Sequence, residues 1–339
     1  MIALSKWFGK KHERESGNGL FVTLEELVGM RRYAVYLRGL RRRKTFSRQA
    51  GEVKSAFKGR GMELEEIRGY TFGDDVRDID WRVTARKDIP YTKLYAEEKD
   101  REIYIWLDLS AQMLFGTRKE LKSVTAAKLA ALLGWESLEN KDRFGCVVFD
   151  GINSWLFKPQ NNRAQLMAVF KKITEISEVV IRQPQGSGDD GPAAAKSLKL
   201  LEQSAKNQAT VFLISDFSLG SESLRRQLAA LSKKTRLYLI NVFDVLEELP
   251  PKAGEYMAEY DGKRLIFDSA AKVYRNDYRN YFAEKRSVLQ DFCRKFGCQL
   301  IEFRTDMEIA NNFKIFSARI LTQNCKDDRF AEELFCNYN

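Results

Sequence analysis

From residue 101 onward, short apolar runs alternate with stretches in which apolar residues recur every three or four positions. The runs are EIYIWLDLS (102–110), RFGCVVF (143–149), ATVFLISD (209–216), RLYLINVF (236–243) and CQLIEF (298–303). Each has strand length and is rich in β-branched or aromatic residues, so each predicts a strand. Between them, residues 118–139 predict a nearly all-apolar helix, 161–177, 192–206 and 220–232 predict amphipathic helices, and 273–296 predict a long, wetter one. Strands alternating with helices predict a parallel sheet covered on both faces. Two hairpins interrupt the alternation, FDGINSWLF turning at Asp150-Gly151 and EYMAEYDGKRLIF turning at Asp261-Gly262, the second after a connector at Pro250-Pro251. GSGDDG (186–191) reads as a flexible loop, and residues 51–100 read as short strands and turns. The expected architecture is α/β, a doubly wound and mostly parallel sheet. Its parts are a basic N-terminal helical segment (1–50), a small β-rich segment (51–100), the main α/β domain (101–245), and a hairpin, long helix and last strand completing it (246–339).

Composition narrows the chemistry. With 44% hydrophobic and 31% charged residues among 339, the chain can bury a sizeable core. Its five cysteines (Cys146, Cys293, Cys298, Cys325, Cys336) form no CxxC pair and His12 is the sole histidine, which argues against a disulfide framework, a zinc site and Ser-His-Asp or Cys-His catalysis. The longest uncharged stretches, 109–117 and 207–215, are about half of what a spanning helix needs. The start, MIALSKWFGKKHERE, turns polar too early for a secretory signal. A cytoplasmic protein is expected.

The net charge of +10 is concentrated at one end: residues 1–60 hold 15 Lys and Arg against 5 Asp and Glu, and the remainder is balanced. Thr23 and Glu26 form a capping-box pattern, after which Leu27, Met30, Ala34 and Leu37 make an apolar stripe at helical spacing. Arg31, Arg32, Arg38 and the run Arg41, Arg42, Arg43, Lys44 surround that stripe. A solvated face is the first expectation. An acidic protein surface is the next, then an anionic membrane surface; nucleic acid is not the expected partner.

Two constellations could carry chemistry. Asp108-Leu109-Ser110 ends one apolar run and Asp216 ends another, which places two carboxylates at the carboxyl edge of the sheet, where ligands bind in open α/β folds. Such oxygens suit a hard cation such as Mg²⁺, although Asp at a strand end also serves as a turn former or helix cap. The second is GDDVRDIDWRVTAR (73–86), with Asp74, Asp75, Asp78 and Asp80. Its carboxylates alternate with Arg77, Arg82 and Arg86, and Val76, Ile79 and Trp81 offer an apolar anchor, so an ion-paired structural turn is expected ahead of a partner-binding surface. A metal-dependent hydrolase or nuclease using Asp74 to Asp80, with the basic helix as phosphate clamp, is the rival reading.

The stretch GRGMELEEIRGYTFGDDVRDIDWRVTAR, followed about twenty residues later by LDLSAQM, resembles the bacterial family called domain of unknown function 58, which couples such a segment to a von Willebrand factor A-like domain. The matching motif positions include Gly73, Asp74, Asp75, Arg77, Asp80, Trp81 and Arg86. The resemblance implies a metal-ion-dependent adhesion site with Asp108, Ser110 and Asp216 as metal ligands around Mg²⁺. Gln112 stands where the family pattern has a second Ser, and GSGDDGPAAA supplies no Thr, leaving Asp189 or Asp190 as the substitutes. It also implies a separate MoxR-type AAA+ ATPase as partner and an adaptor role in assembly or maturation of client proteins. The chain itself has no Walker A pattern. The expectation is a non-enzymatic binding module that recognises partners at the carboxyl edge of its sheet.

Overall fold

The computed structural model describes residues 19–34, 62–87, 89–97, 101–183, 191–217, 221–260, 263–307 and 309, which fall into two compact units. The larger contains a six-stranded sheet built from β3 (Glu102–Asp108), β4 (Arg143–Phe149), β5 (Ser154–Gln160), β6 (Thr210–Ser215), β7 (Arg236–Phe243) and β10 (Gln299–Arg304) in the order β10-β7-β6-β3-β4-β5. All neighbours run parallel except β5, which returns antiparallel beside β4 through the Asp150-Gly151 hairpin. From β3 the chain winds outward to β4 and β5, then crosses back to β6 on the other side. The carboxyl ends of β3 and β6 therefore flank the point where the winding reverses, where an open α/β sheet forms its crevice.

Each central strand is buried on both faces, which is why its sequence is apolar without alternation. Ile105 and Leu107 join one core layer with helices α3 (Lys122–Glu139) and α4 (Arg163–Arg182), while Tyr104 and Trp106 join the other with α5 (Gly191–Ser204), α6 (Glu222–Lys234) and α8 (Lys272–Phe296). Helix α3 is buried around almost its whole circumference, in keeping with its weak amphipathic pattern.

The N-terminal helix departs from expectation. Its regular part is α1 (Leu24–Gly29), with the Thr23–Glu26 capping box formed. The stripe of Leu27, Met30 and Ala34 is not one face of a separate surface segment but part of the α/β core. The indole of Trp135 on α3 donates to the Leu27 carbonyl at 3.0 Å, and Arg31 pairs with Glu139 at 3.0 Å and lies over the Trp135 ring. Residues 19–34 thus belong to the same compact unit as the chain from Glu102 onward. Leu37 and the run Arg41 to Lys44 lie outside the described residues, as do GSGDDG up to Asp190 and Cys325 and Cys336.

After β7 the chain forms a short helix α7 (Val245–Glu248), then the antiparallel hairpin of β8 (Glu255–Tyr260) and β9 (Lys263–Asp268). The smaller unit pairs β1 (Met62–Gly69) antiparallel with β2 (Tyr91–Glu97), joined by a one-turn 3₁₀ helix Val76–Asp78 and by α2 (Trp81–Lys87).

Candidate functional site

Three aspartates stand at the ends of three adjacent strands of the large sheet: Asp108 is the last residue of β3, Asp216 follows β6 and Asp244 follows β7. Asp108 and Asp216, the two anticipated from the sequence, do stand at neighbouring strand ends. Both Asp108 oxygens are engaged, Oδ1 accepting from the Ser110 amide at 2.9 Å and Oδ2 from the Ser215 hydroxyl at 2.6 Å. Ser110 is buried beside it, and Gln112 lies in the one-turn helix Ala111–Met113 that follows. Burial pushes the Asp108 carboxyl up to about 6, against the Ser215 and Ser110 hydrogen bonds that favour its charge, and nearby Asp216 adds to the rise.

The group that organises the crevice is Lys122, the first residue of α3. Its side chain is 3% exposed, and its Nζ donates to Asp216 Oδ2 at 2.7 Å and to Glu247 Oε1 on α7 at 3.1 Å. Burial pushes its pKa down; Asp216 and Glu247 outweigh that and hold it above the ordinary lysine value. The ammonium also lies 5.8 Å from the Phe115 ring centroid. Gly116 lets the loop after β3 fold this tightly, because a Cβ there would sit 2.4 Å from the Glu120 carbonyl oxygen.

This arrangement does not fit Mg²⁺. A magnesium ion requires an octahedral oxygen shell at about 2.0–2.1 Å with several retained waters. Here an ammonium already occupies Asp216, and the Asp108 oxygens are taken by an amide and a hydroxyl. Among the described residues no three His, Cys, Asp or Glu side chains converge as metal ligands. Asp189 and Asp190 lie outside the described residues.

Asp244, not anticipated from the sequence, is fully buried and accepts hydrogen bonds from the Thr117 hydroxyl (2.6 Å) and amide (3.0 Å), the Leu246 amide (2.9 Å) and the Thr305 hydroxyl (2.7 Å), and it caps α7 through the Glu247 amide. It thereby ties the loop after β3 to α7 and to the end of β10. Phe115, Ile152, Leu249 and Met307 are exposed on the segments that follow β3, β4, β7 and β10.

The Asp74–Asp80 constellation in the smaller unit is used locally. Asp74 accepts from the Thr71 amide at 2.9 Å and pairs with Arg68 at 2.8 Å; the Thr71 amide foremost, with its hydroxyl and Arg68, holds the carboxyl below its usual range. Asp75 caps the 3₁₀ turn through the Arg77 amide. Asp80 accepts from the Arg82 and Val83 amides and pairs with Lys93 at 3.4 Å. Gly73 takes φ +110°, a conformation that L side chains rarely adopt. The cations that pair with Asp74 and Asp80 are thus Arg68 and Lys93, rather than the interleaved Arg77, Arg82 and Arg86. Val76 and Trp81 are exposed, so they do not form the expected anchor. Arg86 ends α2.

Asp108 gives a test of this electrostatic picture. Its folded pKa lies above the 3.8 of the free carboxyl, so the folded state binds the proton more tightly and stability falls as pH rises between the two values. The expected loss is about 3 kcal/mol between roughly pH 4 and 6. Urea unfolding across that range should show the slope in the wild type and a nearly flat profile in Asp108→Asn; equal slopes would refute the buried-charge account.

A family model described as "Protein of unknown function DUF58" matches residues 66–288. Uncharacterized proteins of Mycobacterium bovis and Mycobacterium tuberculosis are 26% identical over 259 residues, covering 76% of this chain and 79% of theirs. Among solved structures, the conserved hypothetical protein BatB from Bacteroides thetaiotaomicron is similar with a TM-score of 0.38 and 14% identity, covering 66% of this chain and 98% of that one. An aerotolerance-related membrane protein from Bacteroides fragilis gives 0.37 and 14%, over 65% and 97%. A von Willebrand factor type A protein from Catenulispora acidiphila gives 0.28 and 13%, over 57% and 44%. The expected cytoplasmic location is not upheld, and the Bacteroides fragilis protein is itself described as a membrane protein. Among the described residues no helix is long and apolar enough to cross a membrane.

Proposed function

The chain belongs to the DUF58 family, and from that premise we propose that it is a non-catalytic protein-binding module whose von Willebrand factor A-like unit docks partners on the carboxyl edge of its sheet. The observation that carries this reading is the make-up of that edge. Lys122, Asp216, Glu247 and Asp244 are held by internal hydrogen bonds, and Phe115, Ile152, Leu249 and Met307 are exposed on segments that follow strands at the same edge. Apolar side chains displayed on segments at one edge suit a protein partner, for which a few desolvated anchors supply most of the binding energy.

The partner that the family resemblance favours is a MoxR-type AAA+ ATPase, with this chain linking it to client proteins during their assembly or maturation. The hydrolase alternative has less support, because Asp74, Asp75 and Asp80 are engaged in local caps and pairs.

The test is interferometry between the purified chain and the MoxR-type ATPase of the same genome, with and without nucleotide. Binding is expected to weaken about tenfold or more in Phe115→Asp and in Leu249→Asp. Unchanged affinity in both variants would move the docking surface away from this edge. No binding in any nucleotide state would remove the ATPase from the proposal.

A further inference from the structure

Lys122 has no evident reason to be there on stability grounds. Burying an ammonium carries a desolvation penalty of several kcal/mol, and buried ion pairs can often be replaced by apolar residues without loss of stability. Here the lysine stem is threaded into the domain so that its head reaches the crevice between β3 and β6, the fold's ligand-binding position. There it faces Asp216 at 2.7 Å and Glu247 at 3.1 Å. One fixed positive charge thus stands between two carboxylates at the edge where the family resemblance implies a divalent ion.

We propose that Lys122 is a tethered cation that takes the place of a divalent ion at the carboxyl edge, so that this edge keeps its shape and binds without metal. The ammonium supplies what a metal would supply to the floor: a positive charge drawing Asp216 and Glu247 together and fixing α7 to the start of α3. It differs in one respect. Two of its three donors are engaged by internal carboxylates and it is almost wholly buried, so it is not presented to a partner's carboxylate as an open metal position would be. Recognition at this edge then rests on shape and apolar contact. Deleting the ammonium leaves carboxylates without a counter-charge, a hole that Mg²⁺ or Mn²⁺ can enter. The inference does not depend on which protein docks.

The test uses MgCl₂ and MnCl₂ alone, on chelator-stripped wild type, Lys122→Ser and Lys122→Ser/Asp216→Asn. The wild-type melting temperature is expected to stay unmoved by about 10 mM of either ion, and chelator to have no effect, since an ion that does not bind cannot shift the equilibrium. Lys122→Ser should melt about 10 °C lower and recover most of that with Mn²⁺ in a saturable manner, with bound ion visible by electron paramagnetic resonance. The double variant should lose the response. Saturable wild-type binding that Asp216→Asn abolishes overturns the proposal, as does a folded Lys122→Ser indifferent to both ions. Should Lys122→Ser fail to fold with or without metal, the wild-type titration decides alone: a metal-responsive wild type overturns the proposal and a silent one upholds it.

Discussion

Replacing Asp244 with alanine is expected to lower the unfolding free energy by about 3 to 5 kcal/mol, among the largest single-site losses in the chain. The side chain accepts hydrogen bonds from three segments far apart in sequence, and the alanine leaves the Thr117 and Leu246 amides and two threonine hydroxyls without their acceptor. Burial opposes the Asp244 charge, but the hydrogen bonds from Thr117, Leu246 and Thr305 outweigh it and hold the carboxyl below 3.8. A carboxyl with a lowered folded pKa contributes stability above its unfolded value and loses it as pH falls through the folded one. The gap between wild type and Asp244→Ala should therefore be constant from neutrality down to about pH 4 and shrink below it. Urea titrations at several pH values measure this. A loss under about 1 kcal/mol at neutral pH would mean that the loop after β3 is not anchored there.

Trp135→Ala should cost a similar amount, about 3 to 5 kcal/mol, for a different reason. The ring is fully buried on α3, packs edge-on against Phe170 with centroids 5.8 Å apart, and supports α1 through its bond to the Leu27 carbonyl. Truncation opens a cavity and removes the donor that holds the N-terminal helix. Denaturant unfolding gives the first quantity, and limited proteolysis gives the second, as faster cleavage within residues 19–34. Normal protection of that segment would show that the apolar stripe alone docks the helix.

What the sequence made legible follows from how local the signal was. The runs around β4 and β7 coincide with the strands because a strand covered on both faces must be apolar at nearly every position. Asp108 and Asp216 were legible as strand-end carboxylates for the same reason. Lys122 was not: a lysine at the start of an apolar helix reads as solvated, and its burial depends on carboxylates 94 and 125 residues away. Asp244 likewise draws on Thr117 and Thr305, 127 and 61 residues distant. The stripe of α1 was visible as a stripe, but its packing against Trp135 spans 108 residues. In the smaller unit the alternation of Asp and Arg suggested pairing within one segment, whereas Arg68 and Lys93 reach in from β1 and β2.

The antiparallel edge strand β5 limits how this protein can meet others. An unpaired strand edge normally invites another chain to hydrogen-bond alongside it, as in strand-addition complexes and in aggregation. β5 carries Lys158 and Pro159, and its pairing with β4 shifts register between Phe144 and Cys146, opposite those residues. Proline offers no amide to an incoming strand, an edge lysine resists burial, and an irregular edge cannot template a straight one. At the Lys158–Pro159 end, this edge resists the addition of another strand.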